Sequence, residues 1–168
     1  MSGAGGRAWR FGDDIDTDVL APGIYMKKPI AELAQHCLEA IDPRFAKEVH
    51  PGDIVVAGRN FGMGSSREQA AQALIALGVA AVLAKSFAGI FYRNALNQGL
   101  LALICADTDR IAAGDRLVVD GVKGEVVNCR SGERLACEPL PPHLVEMVAD
   151  GGLVAHLEKK LARNRAGT

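Results

Sequence analysis

The stretch "GRNFGMGSSREQAAQALIALG", residues 58–78, concentrates groups able to do chemistry. Ser65 and Ser66 offer hydroxyls, Arg67 a planar cation and Glu68 a carboxylate. Gly62 and Gly64 let backbone come close to a ligand. Ser65-Ser66-Arg67-Glu68 also fits a capping box, with Ser65 as N-cap of a helix over about 66–77 and Glu68 three residues on. Such a cap is worth about 1 kcal/mol of helix stability and accounts for Ser65 and Glu68. It does not account for Arg67, because a cation in the first turn opposes the helix dipole. An anionic ligand reverses that sign, since free N–H groups, two hydroxyls and a guanidinium then converge on one carboxylate or phosphate.

Known phosphate and nucleophile motifs do not fit. A GxGxxG fingerprint from Gly62 needs glycine at 67, where Arg67 stands; a P-loop needs lysine after Gly64, where Ser65 stands. No GxSxG elbow occurs. A second cluster, "GDDIDTDVLAPG" (residues 12–23), is acidic. An EF-hand through Asp14, Asp16 and Asp18 needs glycine at 19 and glutamate at 25, but Val19 and Tyr25 are there. The cluster reads either as a turn of aspartate side-chain bonds or as a carboxylate, Asp18, that orients a catalytic group.

The elements that must position these groups follow from the hydrophobic pattern. "GDIVVAG", "AAVLAKSF" and "LLALIC" predict buried parallel strands near 53–57, 80–84 and 100–104. Helices follow the first two, the second ("AGIFYRNALNQG") ended by Gly99. Residues 32–41 have helical spacing, through Leu33, Cys37, Leu38 and Ile41. After Asp107, short turn-separated segments predict an antiparallel β section. Past Pro141-Pro142 the chain reads helix, Gly151-Gly152, helix. Residues 1–10 are Gly-rich and are expected to be frayed. The whole reads as one α/β domain over 1–168, with 142–168 a C-terminal helical extension.

Bulk properties narrow the function. The chain has 168 residues, 49% hydrophobic and 23% charged, enough for one core. Nineteen basic against 20 acidic residues give a net charge of -1, with no basic run. That argues against nucleic-acid and membrane-surface partners. No apolar run is long enough for a bilayer span or a signal peptide, so the cytoplasm is the expected compartment. Cys37, Cys105, Cys129 and Cys137 form no CxxC, and the four histidines are scattered. A metal or iron–sulfur site on this chain alone is therefore not expected.

"DTD" before a proline loop, "GRNFGMGSSRE" and "AKSFAGIFYRNALNQGL" together resemble the small subunits of isopropylmalate isomerase, in the aconitase superfamily. The resemblance runs over about residues 11–130. It implies a three-layer swivelling β/β/α domain with central parallel strands. It implies that Ser65 is the catalytic base, that Ser66 and Arg67 bind a substrate carboxylate, and that Asp18 partners a histidine of the large subunit. Gly23–Lys28 falls where the family varies its substrate-recognising loop, so Tyr25, Met26 and Lys27 are substrate-binding candidates. It implies that the 4Fe–4S cluster, Lewis acid on the departing hydroxyl, belongs to the large subunit. The implied reaction is loss and re-addition of water on a 2-hydroxy dicarboxylate. The substrate is isopropylmalate, or alternatively homoaconitate, citraconate or dimethylmalate. A non-catalytic anion-binding module is the reading from another class. One departure is Met63, where related small subunits often carry cysteine.

Overall fold

A computed structural model describes residues 4–167. Its frame is a seven-stranded sheet: β1 (Ala4–Arg10), β2 (Ile54–Ala57), β3 (Ala81–Ala84), β4 (Leu101–Ile104), β5 (Arg116–Asp120), β6 (Glu125–Asn128) and β7 (Arg134–Ala136). The spatial order is β4-β3-β2-β1-β5-β6-β7. Three short helices, α1 (Thr17–Leu20), α2 (Ile30–Ala34) and α3 (Phe45–Glu48), lie between β1 and β2, and α4 (Gln69–Ala76) lies between β2 and β3. Then come α5 (Gly89–Gln98), α6 (Pro142–Ala149) and α7 (Leu153–Ala166).

The two halves of the sheet differ as their sequences require. Every residue of β2 and β3 is buried, the signature of strands covered on both faces. β1, β2, β3 and β4 pair in parallel. β5 and β6 instead alternate between more buried and more exposed positions and pair antiparallel, with β7 after them. The parallel strands and the antiparallel section thus stand where their patterns predict them. α4 packs against α1, α2 and α5. Ala70, Ala71, Ala73 and Leu74 are fully buried, while Ile75 and Leu77 are partly so.

Two expectations are corrected. Residues 4–10, expected to be frayed, form the strand that joins the halves; residues 1–3 of that expectation lie outside the described residues. β1 runs parallel to β2 through Trp9↔Val55 and antiparallel to β5 through Gly5↔Val118. Its glycines hid it, and one of them is required: a Cβ on Gly6 would stand 1.9 Å from the Gly52 carbonyl oxygen. Asp53 secures the same strand, accepting from Arg7 N (3.2 Å), Trp9 Nε1 (2.9 Å) and His50 N (2.9 Å). Burial pushes the Asp53 carboxyl up, but those donors prevail and hold it below the usual range.

The second correction concerns 32–41. The helix stops at Ala34, and turns follow. Leu38 takes a positive φ of 60° and its N–H bonds the Val19 carbonyl at 2.9 Å. The helical spacing recorded burial of Leu33, Cys37 and Leu38 rather than a helix; Ile41 is exposed. At the other end α6, Gly151-Gly152 and α7 follow the expected order. Asp150 ties them, accepting from Lys159 Nζ (2.8 Å) and bonding His156 Nδ1 (2.7 Å).

Candidate active site

The Gly-rich loop leaves the C-terminal end of β2, where open parallel sheets present their ligand sites. Phe61 anchors it. The ring is fully buried, edge-on to Phe87 and Phe91 at 5.9 and 5.2 Å. Its N–H bonds the Ser86 carbonyl, and its carbonyl accepts from Ala88 N. Gly62 has φ 85°, and a Cβ there would stand 2.2 Å from the Phe91 ring, so only glycine lets the loop lie on these aromatics.

The acidic segment lies alongside this loop. Gly62 N–H bonds the Ile15 carbonyl (2.7 Å), Thr17 N–H bonds the Met63 carbonyl (2.8 Å), and Asp16 pairs with Met63 in an isolated parallel bridge. Asp13 Oδ1 accepts from Arg59 N (2.7 Å), and Asp14 Oδ1 from Asn60 Nδ2 (3.2 Å). Asn60 Nδ2 also reaches Met63 Sδ at 3.5 Å, so the departure at 63 is accommodated without loss of the bridge. Asp16 makes the expected turn, capping α1 through Asp18 N (2.8 Å) and Val19 N (3.0 Å).

This pairing brings Ser65, Arg67 and Asp18 together. Arg67 Nε donates to Ser65 Oγ at 2.8 Å. Arg67 Nη1 donates to Asp18 Oδ1 at 2.9 Å and to the Ala21 carbonyl at 2.8 Å. Asp18 Oδ1 also accepts from Gly23 N at 2.9 Å. The Arg67 hydrogen bond, with help from the Gly23 N–H, holds the Asp18 carboxyl below its usual range, so it stays ionised at neutral pH. Arg67's side chain is 23% exposed and Asp18's 66%. Ser65 and Ser66 are exposed.

The capping box does not form. α4 begins at Gln69, the cap position falls on Glu68, and no side-chain cap bond is made there. The Ser65 hydroxyl is engaged by Arg67 and Thr17 instead, the latter at 3.2 Å. Arg67 therefore lies ahead of the helix, and its ion pair with Asp18 removes the dipole conflict.

Other candidates are placed differently. Ser66 contributes its carbonyl, which accepts from Asn94 Nδ2 at 3.4 Å. Tyr25 stacks on His36 at 3.7 Å, and Tyr25 and Met26 are partly buried against the core. Lys27 is exposed. Sequence reasoning missed Thr17, the Ala21 carbonyl, Asn94 and Ile24, whose side chain stands 83% exposed on the turn Gly23–Tyr25. Thr17 carried a signal, a hydroxyl between two aspartates; a backbone carbonyl and the reach of Asn94 from α5 carry none.

Cys37 and Cys105 are buried, Cys137 is half-buried and Cys129 exposed. Burial pushes the Cys37 thiol up, which makes it inert. Among the described residues no three cysteines gather, so these residues do not fit an iron–sulfur cluster. The one metal-type grouping there, Glu146, Asp150 and His156, already has the Lys159 ammonium on Asp150.

Residues 17–108 match the Aconitase C-terminal domain, which sets the class of this fold and of its Gly-rich loop. A 3-isopropylmalate dehydratase small subunit of Archaeoglobus fulgidus is 54% identical over 156 residues, covering 92% of this chain and 94% of its own. The methanogen homoaconitase small subunit of Methanocaldococcus jannaschii is 49% identical over 164 residues, 96% of each. A crystal structure of 3-isopropylmalate dehydratase from Methanocaldococcus jannaschii matches all of both chains with a TM-score of 0.92 at 46% identity. The chain belongs to the family of 3-isopropylmalate dehydratase small subunits.

Proposed function

We propose that this chain is the small half of a two-subunit hydro-lyase that interconverts 2-isopropylmalate and 3-isopropylmalate by dehydration and rehydration. The observation that carries the reading is Arg67, which touches Ser65 with one nitrogen and Asp18 with another. Ser65 is the base that takes the carbon-bound proton and later returns it. A hydroxyl holds its proton strongly, so it serves only where the alkoxide is stabilised. The Arg67 guanidinium, 2.8 Å from the oxygen and itself partly desolvated, does this. Among the described residues, Arg67 Nη2 has no partner, and its two N–H groups are left for a substrate carboxylate. Ser66, exposed beside it, adds a hydroxyl to the clamp. Asp18 keeps Arg67 oriented and offers its exposed face to a histidine of the large subunit.

In this reading the large subunit holds the 4Fe–4S cluster, which is consistent with no three cysteines gathering among the described residues of this chain. Ile24, Lys27 and Lys28 are the exposed side chains of the loop at 23–28, and they face the variable part of the substrate. Ile24 suits a branched apolar group, and Lys27 an additional carboxylate. The second reading, homoaconitate as substrate, is favoured by the homoaconitase relative and by Lys27.

Co-expression with a cluster-bearing large subunit, then a dehydratase assay over a panel of 2-hydroxy diacids, tests the assignment. Fastest turnover on isopropylmalate supports it. Preference for homoaconitate, citraconate or dimethylmalate replaces the substrate. No turnover by an assembled, cluster-loaded complex leaves an anion-binding module.

A further inference from the structure

We infer that Thr17 is a positioning residue for the base: its hydroxyl locks the Ser65 side chain and donates a second hydrogen bond to the Ser65 oxygen once that oxygen is deprotonated. The inference rests on Ser65 being the base. Thr17 is 2% exposed, so its hydroxyl is withdrawn from water. A buried hydroxyl is costly unless it is bonded. The partner the structure gives it is Ser65 Oγ, at 3.2 Å. Thr17 is also held on both sides of its backbone. Its N–H bonds the Met63 carbonyl at 2.8 Å, and its carbonyl accepts from Ala21 N at 2.8 Å. The hydroxyl is therefore a fixed point, carried on a β-branched side chain with little rotamer freedom, while Ser65 lies on an exposed loop.

The proton count gives the direction of this bond. Ser65 Oγ has one proton and two lone pairs, and Arg67 Nε–H occupies one lone pair. With Ser65 neutral, either hydroxyl can donate to the other. With Ser65 deprotonated, only Thr17 can donate. The alkoxide then receives two aimed donors, one cationic and one neutral, and the open side of the oxygen stays toward substrate. Donors set in place before charge develops act as an oxyanion hole acts.

The test uses the reconstituted two-subunit enzyme with Thr17→Val, Thr17→Ser, Ser65→Ala and the double variant Thr17→Val/Ser65→Ala. Thr17→Val keeps the shape and removes the donor. It is expected to lower kcat about 10- to 100-fold, leave KM within about twofold, and move the pH midpoint of kcat upward. Thr17→Ser, which keeps the hydroxyl, restores most of kcat. In the Ser65→Ala background, Thr17→Val has no further effect on kcat. If Thr17→Val changes only thermal stability or subunit affinity, with kcat and pH profile unaltered, the role is overturned. Should Thr17→Val fail to fold, Thr17→Cys, close in volume with a weaker donor, must show a kcat loss and a pH displacement in the same direction. An inactive Ser65→Ala beside a fully active Thr17→Val removes this inference alone. A fully active Ser65→Ala removes the reading of Ser65 as base.

Discussion

Two aspartate–arginine pairs, one beside each half of the sheet, use the same chemistry with burial reversed. Asp115, before β5, is 3% exposed in its side chain, and its Arg130 is 62% exposed. Asp115 accepts from Arg130 Nε (2.5 Å), Asn128 Nδ2 (2.8 Å) and Ala112 N (2.8 Å), so the carboxylate is fully occupied within the fold. In the pair beside the Gly-rich loop the guanidinium is the inner partner and the carboxylate the outer one. A buried, saturated carboxylate holds a turn. A guanidinium held from behind by Asp18 and the Ala21 carbonyl, with Ser65 on its Nε, keeps N–H groups to spare, as the proposed carboxylate clamp requires.

Substitutions in the two places are expected to separate turnover from stability. Ser65→Ala has the largest expected effect, a fall in kcat of about 10²- to 10⁴-fold in the reconstituted enzyme. Because Ser65 is not a helix cap, the stability cost is that of leaving the buried Thr17 hydroxyl unpartnered, about 1 kcal/mol by thermal melting. Arg67→Lys comes next. Replacing the fork by a point charge is expected to cost about 10- to 150-fold in kcat/KM; a change under twofold would return Arg67 to the status of a surface residue. Asp18→Asn removes an ion pair that is open to solvent, so stability changes by less than about 1 kcal/mol. Its expected effect on kcat/KM, about 3- to 10-fold, comes from loss of Arg67's orientation.

Asp115→Asn is the contrasting case. Turnover per folded molecule stays at the wild-type level, while unfolding free energy falls by about 1–3 kcal/mol. The pH dependence follows the same pair. Hydrogen bonding from Arg130, opposed by burial, holds the Asp115 carboxyl at about 2, below its ordinary 3.8. Its stabilising contribution is therefore fully present above about pH 4 and is lost as pH falls through about 2. Acid unfolding of Asp115→Asn is expected to show a weaker dependence on pH in that window.

The parallel strands were legible because Ile54-Val55-Val56 and Ala81–Ala84 need cover on both faces, and Gly99 was legible as a helix end. Ser65, Arg67 and Asp18, which the structure brings together, stand out in the sequence by type, but their bonding does not. Ser65 and Glu68 have the spacing of a capping box, yet Thr17 and Arg67 take the serine hydroxyl, and that competition crosses 48 positions of chain. β1 was illegible because Gly5 and Gly6 carry no side-chain pattern; the use of Gly6 is the close passage of Gly52. Residues 32–41 misled because Leu38 is buried from a left-handed turn.

The most direct measurement follows exchange of the substrate's carbon-bound proton with solvent deuterium, on the carbon next to the hydroxyl-bearing one. It compares wild-type and Ser65→Ala chains assembled with the same cluster-loaded large subunit. If Ser65 is the base, exchange falls with turnover by about 10²-fold or more, while the complex still assembles and binds substrate. Exchange at the wild-type rate in an assembled Ser65→Ala complex would contradict the account, because another group would then be moving the proton.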